Sequence, residues 1–391
     1  MLISIKFWKQ SKKSRLAGFF LSVLLLGCQP QPAVIPGALE FARAQQSLKA
    51  ELPLKAAEQL ATAIRQGHPS AVNQWLELTQ SQLGPLQQYQ QLQTWAVASL
   101  SSEQAIRLGL WHDALVMPPV LPPLLSTSAA PTGCQLNVQP VLSSLLSVAH
   151  WQQLRQDWSK SDFASLPVCF LAPIVLDSRE LRCTEQAQQR ISCVPTRLSQ
   201  IMQQSRAQIL LVAAGRGQAS FNNGWLQLPE QFSPALFRHE FSHALGFIDE
   251  YALPAATAAA ECARRDVLAN LLLDTADAAR YAQHWGLELA DLSLTPVDTC
   301  RAAGVQAWRP VRTDSHMQHF ELAVPALYRQ IMQRQLKQSA MLMPVQYYFA
   351  YLARQQQDMQ RWQLLMHQAA AFGYPAALEA LEAAELSLTA R

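Results

Sequence analysis

The 391-residue sequence predicts an α+β fold with helical segments on either side, and three observations carry that reading. From 39 to 117 the chain is rich in Ala, Leu and Gln, with helical periodicity and little strand signal. A Pro-, Ser- and Thr-rich stretch over 118–133 then breaks the pattern, and strand-like and helix-like runs alternate beyond it. Within that second region 208–213 (QILLVA) is an apolar run of strand length, and the segment after Pro234 places apolar residues at helical spacing.

Taken in order, the chain opens with Lys6, Lys9, Lys12, Lys13 and Arg15, followed by an apolar run over 16–27. That run is too short for a stable bilayer anchor, and its basic flank fits a secretory signal. It closes with Leu25-Leu26-Gly27-Cys28, which resembles a bacterial lipobox. Residues 1–27 are therefore expected to be a lipoprotein signal peptide, leaving Cys28 as an acylated N-terminus. Gln29 is not the aspartate that often marks inner-membrane retention, so the expected location is the bacterial cell envelope, lipid-anchored at the outer membrane and facing the periplasm. Residues 28–38 are Pro-rich and polar and read as a tether.

The 39–117 region is expected to be a helical, repeat-like domain able to receive a protein partner. Its turn Ala63-Ile64-Arg65-Gln66-Gly67-His68-Pro69-Ser70-Ala71 matches Ala369-Ala370-Ala371-Phe372-Gly373-Tyr374-Pro375-Ala376-Ala377 near the other end. Both resemble the turn of tetratricopeptide-like repeats, and two copies are too few for a solenoid. Beyond the linker, 134–343 reads as strand (135–141), helix (144–158), strand (168–176), helix (196–205), buried strand (208–213) and a more polar edge strand (220–228) before the helix after Pro234. Residues 344–391 are expected to form a separate helical segment.

Charge and cysteines narrow the function. The formal net charge of +3 comes from the leader: without its first 27 residues the chain carries 26 basic against 28 acidic side chains. No basic stripe remains for nucleic acid. Of the seven cysteines, six lie beyond Cys28: Cys134, Cys169, Cys183, Cys193, Cys262 and Cys300. An even number in an exported chain implies disulfides. Nearness in sequence pairs Cys183 with Cys193, Cys134 with Cys169, and Cys262 with Cys300.

The most informative stretch is His239-Glu240-Phe241-Ser242-His243-Ala244-Leu245-Gly246-Phe247-Ile248-Asp249. Two histidines four apart on a helix share one face and present two imidazole nitrogens to one Zn²⁺. Glu240 beside them is placed to take a proton from a water that the metal has made acidic. Gly246 permits the turn that ends the helix. Asp249 then comes round as third ligand, with the neighbouring Glu250 the other carboxylate in reach.

With these letters the segment resembles the metzincin metallopeptidases, whose pattern is HExxHxxGxxH followed by a Met-turn. Asp249 stands where most of them carry histidine. HEFSHALGFIDEY is closest in pattern to the IgA-peptidase-type metalloendopeptidases, whose Met-turn follows an Arg-Pro pair and a short polar stretch. Here that is Arg309-Pro310 and the residues up to Met317, the expected Met-turn methionine; Met343 is the runner-up. Ser242 replaces a glycine, a change expected to be harmless, and His316 and His319 read as polar loop residues. No tyrosine follows Met317 at the position that supplies a transition-state phenol in some metzincins, leaving Tyr251 as the candidate for that role. The resemblance implies a mixed twisted sheet with an edge strand that binds extended substrate, an active-site helix, and a largely helical lower subdomain over 255–330. Trp225, on the expected edge strand, is a candidate cleft residue.

The expected function is a zinc-dependent endopeptidase with one Zn²⁺ and Glu240 as general base, acting on peptides or proteins. The alternatives are a non-catalytic lipoprotein scaffold with a structural zinc site, and a hydrolase of cell-wall peptides.

Overall fold

The computed structural model describes residues 35–95, 97, 99–114 and 133–389. The expected signal peptide, Cys28, most of the tether and the Pro-rich linker up to 132 lie outside the described residues. Among the described residues no helix is long and apolar enough to cross a membrane.

The chain divides after Pro69 into two compact units, so the helical region expected as one domain over 39–117 is split. In the first unit α1 (Ala38–Lys49) and α2 (Pro53–Arg65) form a hairpin closed around Ala44, Ala56, Leu60, Ala63 and Ile64. Gly37 lies so close to α2 that a Cβ there would meet the Ala63 carbonyl oxygen at 2.8 Å. Gly67 has φ +86°, and its counterpart Gly373 has φ +80°, so both copies of the repeated turn stop a helix with a left-handed glycine.

The second unit begins with α3 (Ala71–Thr79), α4 (Pro85–Thr94) and α5 (Ser102–Arg107). These helices are fastened to the α+β part of the same unit. The Glu185 carboxylate accepts from the Leu86 and Gln87 amides in the first turn of α4, at 2.9 and 2.6 Å, where free N–H groups favour an anion. The Trp111 indole N–H donates to the Ser143 carbonyl at 2.8 Å.

The α+β part runs as β1 (Leu136–Leu142), α6 (Leu145–Trp158), β2 (Val168–Phe170), β3 (Ile174–Val175), α7 (Ser178–Leu181), α8 (Pro195–Gln204), β4 (Ile209–Ala213), β5 (Ser220–Asn222), β6 (Trp225–Leu228) and α9 (Pro234–Ala244). The strands make one mixed sheet in the order β2-β1-β4-β6-β5, with β3 continuing beside β1. Every pairing is parallel except that of β5, which runs antiparallel to β6 at the edge. Both faces are covered, which is why the β4 segment reads as an unbroken apolar run. Its Ile209, Leu211 and Ala213 enter a core with Trp151, Trp158, Phe237 and Phe241, while Leu210 and Val212 enter a second core with Leu198, Met202, Phe349 and Leu365.

Beyond α9 come α10 (Ala255–Glu261), α11 (Ala278–Trp285), the hairpin β7 (Thr295–Val297) and β8 (Ala307–Arg309), and α12 (Ala326–Lys337). The chain ends with α13 (Val345–Gln355), α14 (Met359–Ala371) and α15 (Pro375–Thr389). All three expected cysteine pairs are joined: Cys134–Cys169, Cys183–Cys193 and Cys262–Cys300.

Four expectations need correction. The strand over 168–176 is two short strands, because Pro173 has no amide to donate and the Gln139 side chain instead bonds the Ala172 carbonyl at 2.9 Å. The edge strand over 220–228 is a hairpin: Asn223 and Gly224 have φ of +54° and +76°, the turn that Asn-Gly favours, so of its two strands β5 lies at the sheet's edge and β6 does not. The 255–330 region is less helical than expected, a run of short helices around the β7–β8 hairpin. The C-terminal helices are no separate segment, since Phe349, Trp362 and Leu365 complete the second core and the Val345 amide donates to the Gln208 carbonyl at 2.8 Å.

Candidate metal centre

Helix α9 starts where its sequence says it should. The Ser233 hydroxyl accepts from the Leu236 amide at 3.0 Å, and Pro234 occupies the first position, where no amide is needed. The buried face carries Phe237 and Phe241, which stack with centroids 5.5 Å apart and anchor the helix in the first core. The other face turns His239, Glu240 and His243 into a cleft of about 330 Å³.

Both imidazoles are held by their inner nitrogens. His239 Nδ1 lies 2.7 Å from the His316 carbonyl oxygen, and His243 Nδ1 lies 2.8 Å from that of Phe247. A carbonyl can only accept, so each Nδ1 carries a proton, and it is each Nε2 that is turned towards the ligand site, as in a metal-ligating histidine.

The helix ends in a Schellman motif, with the Phe247 amide bonded to the Ser242 carbonyl and Gly246 to His243. Gly246 sits at φ +82° with its nearest non-local atom 4.0 Å from a Cβ position, so the backbone sign, not crowding, demands glycine. Fully buried Asn270 then clamps the returning chain. Its side chain accepts from the Ile248 amide at 2.8 Å and donates to the Ile248 carbonyl at 2.7 Å. The Thr299 hydroxyl holds the Asp249 carbonyl at 2.8 Å.

So aimed, Asp249 Oδ1 lies 3.2 Å from His239 Nε2 and 3.3 Å from His243 Nε2. Two ligand atoms each about 2.0–2.1 Å from one ion at a tetrahedral angle stand about 3.3 Å apart, so the spacing is that of a shared ion. Asp249 Oδ1 is buried and makes no well-formed hydrogen bond among the described residues. His239, His243 and Asp249 form a group that can hold a metal ion, with two imidazoles and one carboxylate as its donors.

The electrostatics agree. Burial opposes charge on His243, yet Asp249 and Glu240 raise it to about 9. Burial likewise acts to raise Asp249, yet His239 and His243 hold its carboxyl well below the usual range. The site calls for positive charge between its ligands. Burial pushes Glu240 up, against the pull of His243 and His239.

Glu250, the other carboxylate considered as third ligand, is turned away and fully buried. Its Oε1 accepts from the Tyr328 hydroxyl at 2.5 Å and the Asn270 amide at 3.1 Å, its Oε2 accepts from the Ser315 hydroxyl at 2.9 Å, and Arg309 lies 3.6 Å off. The Glu250 amide donates to the Met317 carbonyl at 3.0 Å. Arg309 also gathers the Val311 and Arg312 carbonyls and Asp314, so the Arg-Pro lead-in shapes the turn that carries His316 and Met317.

Met317 is fully buried in the first core, whereas Met343 is half-buried in a neighbouring pocket with Gly224 and Leu245. His316 is not the polar loop residue expected. It is fully buried, with Nε2 2.8 Å from the Ser242 hydroxyl, and burial pushes it down to about 3. Ser242 thus ties the helix to the turn, a contact that glycine could not make. His319 is exposed, as expected. Tyr251 lines the cleft, where burial and the Asp249 carboxylate raise its phenol and keep the proton on it. Trp225 does not line the cleft: it packs in the second core, its ring centroid 5.8 Å from that of Phe349. Asn270, Thr299, Ser315 and Tyr328 went unmarked in the sequence, where nothing local sets them apart.

Comparison with family models, curated proteins and solved structures finds no match to this chain. Fold and site together define an α+β protein with a mixed sheet and a His₂Asp group able to hold a metal ion. Asp249→Ala is expected to weaken divalent-metal affinity by more than the 10–100-fold typical of losing a ligand's hydrogen-bond partner, with the metal-free fold intact. Titration of zinc against a competing chelator reads this, and unchanged affinity would remove Asp249 from the ligand set.

Proposed function

We propose that this protein is a zinc-dependent endopeptidase of metzincin type, acting on peptides or proteins in the bacterial cell envelope. One observation carries the reading: His239 Nε2, His243 Nε2 and Asp249 Oδ1 converge on one point, in a cleft that also holds Glu240 and runs along edge strand β5. A zinc ion bound there supplies the positive charge that polarises a scissile carbonyl and makes water acidic enough to give up a proton near neutral pH. The remaining work falls to the protein's own groups. Glu240 takes the proton from the attacking water on its carboxylate and delivers it to the leaving amine nitrogen. Tyr251, protonated at working pH, offers its hydroxyl to the oxygen on which charge develops. The outer edge of β5, antiparallel to β6, offers backbone groups to an extended peptide, a binding mode that needs no particular side chain.

A buried carboxyl with no structural partner among the described residues favours this reading over a structural zinc site, which has no use for Glu240. The lipobox-like Cys28 supports attachment to the outer membrane facing the periplasm, and the helical segments suit a protein partner. The test is to express the chain from residue 29 and measure bound metal beside cleavage of a mixed peptide library. One zinc per chain is expected, with cleavage lost on chelation and restored by zinc. A folded chain that takes up no metal would overturn the proposal.

A further inference from the structure

The cleft holds a cation with nothing to do. Two arginines line it, Arg190 and Arg264. Arg264 is tied to Glu261 at 3.0 Å and to Asp266. The Arg190 guanidinium, by contrast, makes no hydrogen bond or ion pair among the described residues, although it is near enough to Glu240 and Tyr251 to favour their charged forms.

An unpaired surface arginine is ordinarily a solvated one, but the backbone beneath this one is built. Arg190 lies inside the loop closed by Cys183–Cys193, whose cysteines are buried in the second core along with Ile191. The loop is cross-braced by the Thr184 amide on the Ser192 carbonyl at 3.0 Å and the Ser192 amide on the Thr184 hydroxyl at 3.0 Å. It is then fastened to the strand entering the cleft. The Ile191 amide donates to the Gln218 carbonyl at 3.0 Å and the Gln218 amide to the Gln189 carbonyl at 2.8 Å, a parallel bridge two residues before β5. A disulfide-closed loop thus fixes the root of Arg190 beside the strand along which an extended peptide would lie.

A guanidinium offers planar paired donors that match a carboxylate. On the reading of this cleft as a peptide-binding one, we infer that Arg190 is its specificity-determining residue and gives it a preference for peptides bearing a carboxylate near the bond at the metal centre. The carboxylate can come from an acidic side chain or from a free C-terminus.

The test uses the chain from residue 29 and peptides that differ at one position, scanned across the cleft, carrying Glu, Gln or Lys, each with a free or amidated C-terminus. Binding is followed by fluorescence anisotropy in the zinc-loaded Glu240→Gln protein, so that bound peptide stays whole, and hydrolysis is followed in the active one. At one position Glu is expected to bind about 10- to 100-fold tighter than Gln, the range of a charged hydrogen bond. Arg190→Gln should erase that preference, and Arg190→Glu should transfer it to Lys. A Glu-over-Gln preference that survives amidation assigns the side chain, whereas free acids that bind alike and weaken by the same factor on amidation, an effect Arg190→Gln erases, assign the C-terminus. Arg190-dependent binding without hydrolysis by the active protein would uphold this inference and sink the peptidase reading. Equal binding of Glu, Gln and Lys peptides that amidation leaves unchanged, no binding at all, or a preference untouched by Arg190→Gln overturns it.

Discussion

Glu240→Gln is expected to leave zinc at one per chain and to cut peptide hydrolysis by about 10²–10⁴-fold, the range of a positioned general base. The substitution keeps the size of the side chain and touches none of the three converging ligand atoms. It does remove the carboxylate that the proposed mechanism uses to take a proton from water and return it to nitrogen. Burial pushes Glu240 up, so in the metal-free protein its base form is lost on acidification earlier than an exposed glutamate's would be. Metal content by mass spectrometry and turnover on one cleaved peptide decide the matter together. Turnover retained with zinc bound would refute Glu240 as the base. Turnover lost together with zinc would mean that Glu240 helps hold the ion instead.

What could be read from the sequence depends on the range of the interactions involved. His239, Glu240 and His243 are placed by one turn of helix, Gly246 by a backbone angle that only glycine adopts readily, and Cys183–Cys193 by a short loop. Each needs only neighbours in the chain. Asp249 was legible as a candidate, but the choice between it and Glu250 rests on Asn270, Ser315, Arg309 and Tyr328, up to 78 residues away. Trp225 was misplaced for a related reason. Which face a strand residue meets depends on register, and Trp225 pairs with Leu210, whose side chain enters the second core. The hairpin itself did have a local signal in Asn223-Gly224, hidden inside a run that read as one strand. The C-terminal helices were legible as helices, but an amphipathic face does not name the surface it covers, and theirs is the back of the sheet.

Glu250→Ala is expected to be the most damaging single change outside the ligands themselves, and to act on stability and on metal together. It removes the more distant of the two carboxylates beside buried Arg309, which keeps Asp314, and strands the Tyr328 and Ser315 hydroxyls and one Asn270 donor in a fully buried space. Leaving a buried donor unsatisfied costs about 1–3 kcal/mol, so the three together amount to on the order of 3–5 kcal/mol. In a unit of this size that lowers the melting temperature by on the order of 4–8 °C. The same carboxylate ties Asn270, which clamps Ile248 just before Asp249, to Ser315, which holds the Met317 amide at 3.0 Å, next in the chain to the His316 carbonyl that bonds His239. Loosening it should therefore misdirect both Asp249 and His239. Asp249→Ala and Glu250→Ala then have different signatures: the first loses metal affinity at an unchanged metal-free melting temperature, the second loses both. Calorimetry of the metal-free proteins, paired with zinc titration, separates them. A Glu250→Ala protein that melts like the parent but binds no zinc would show that Glu250, and not its neighbour, is the ligand.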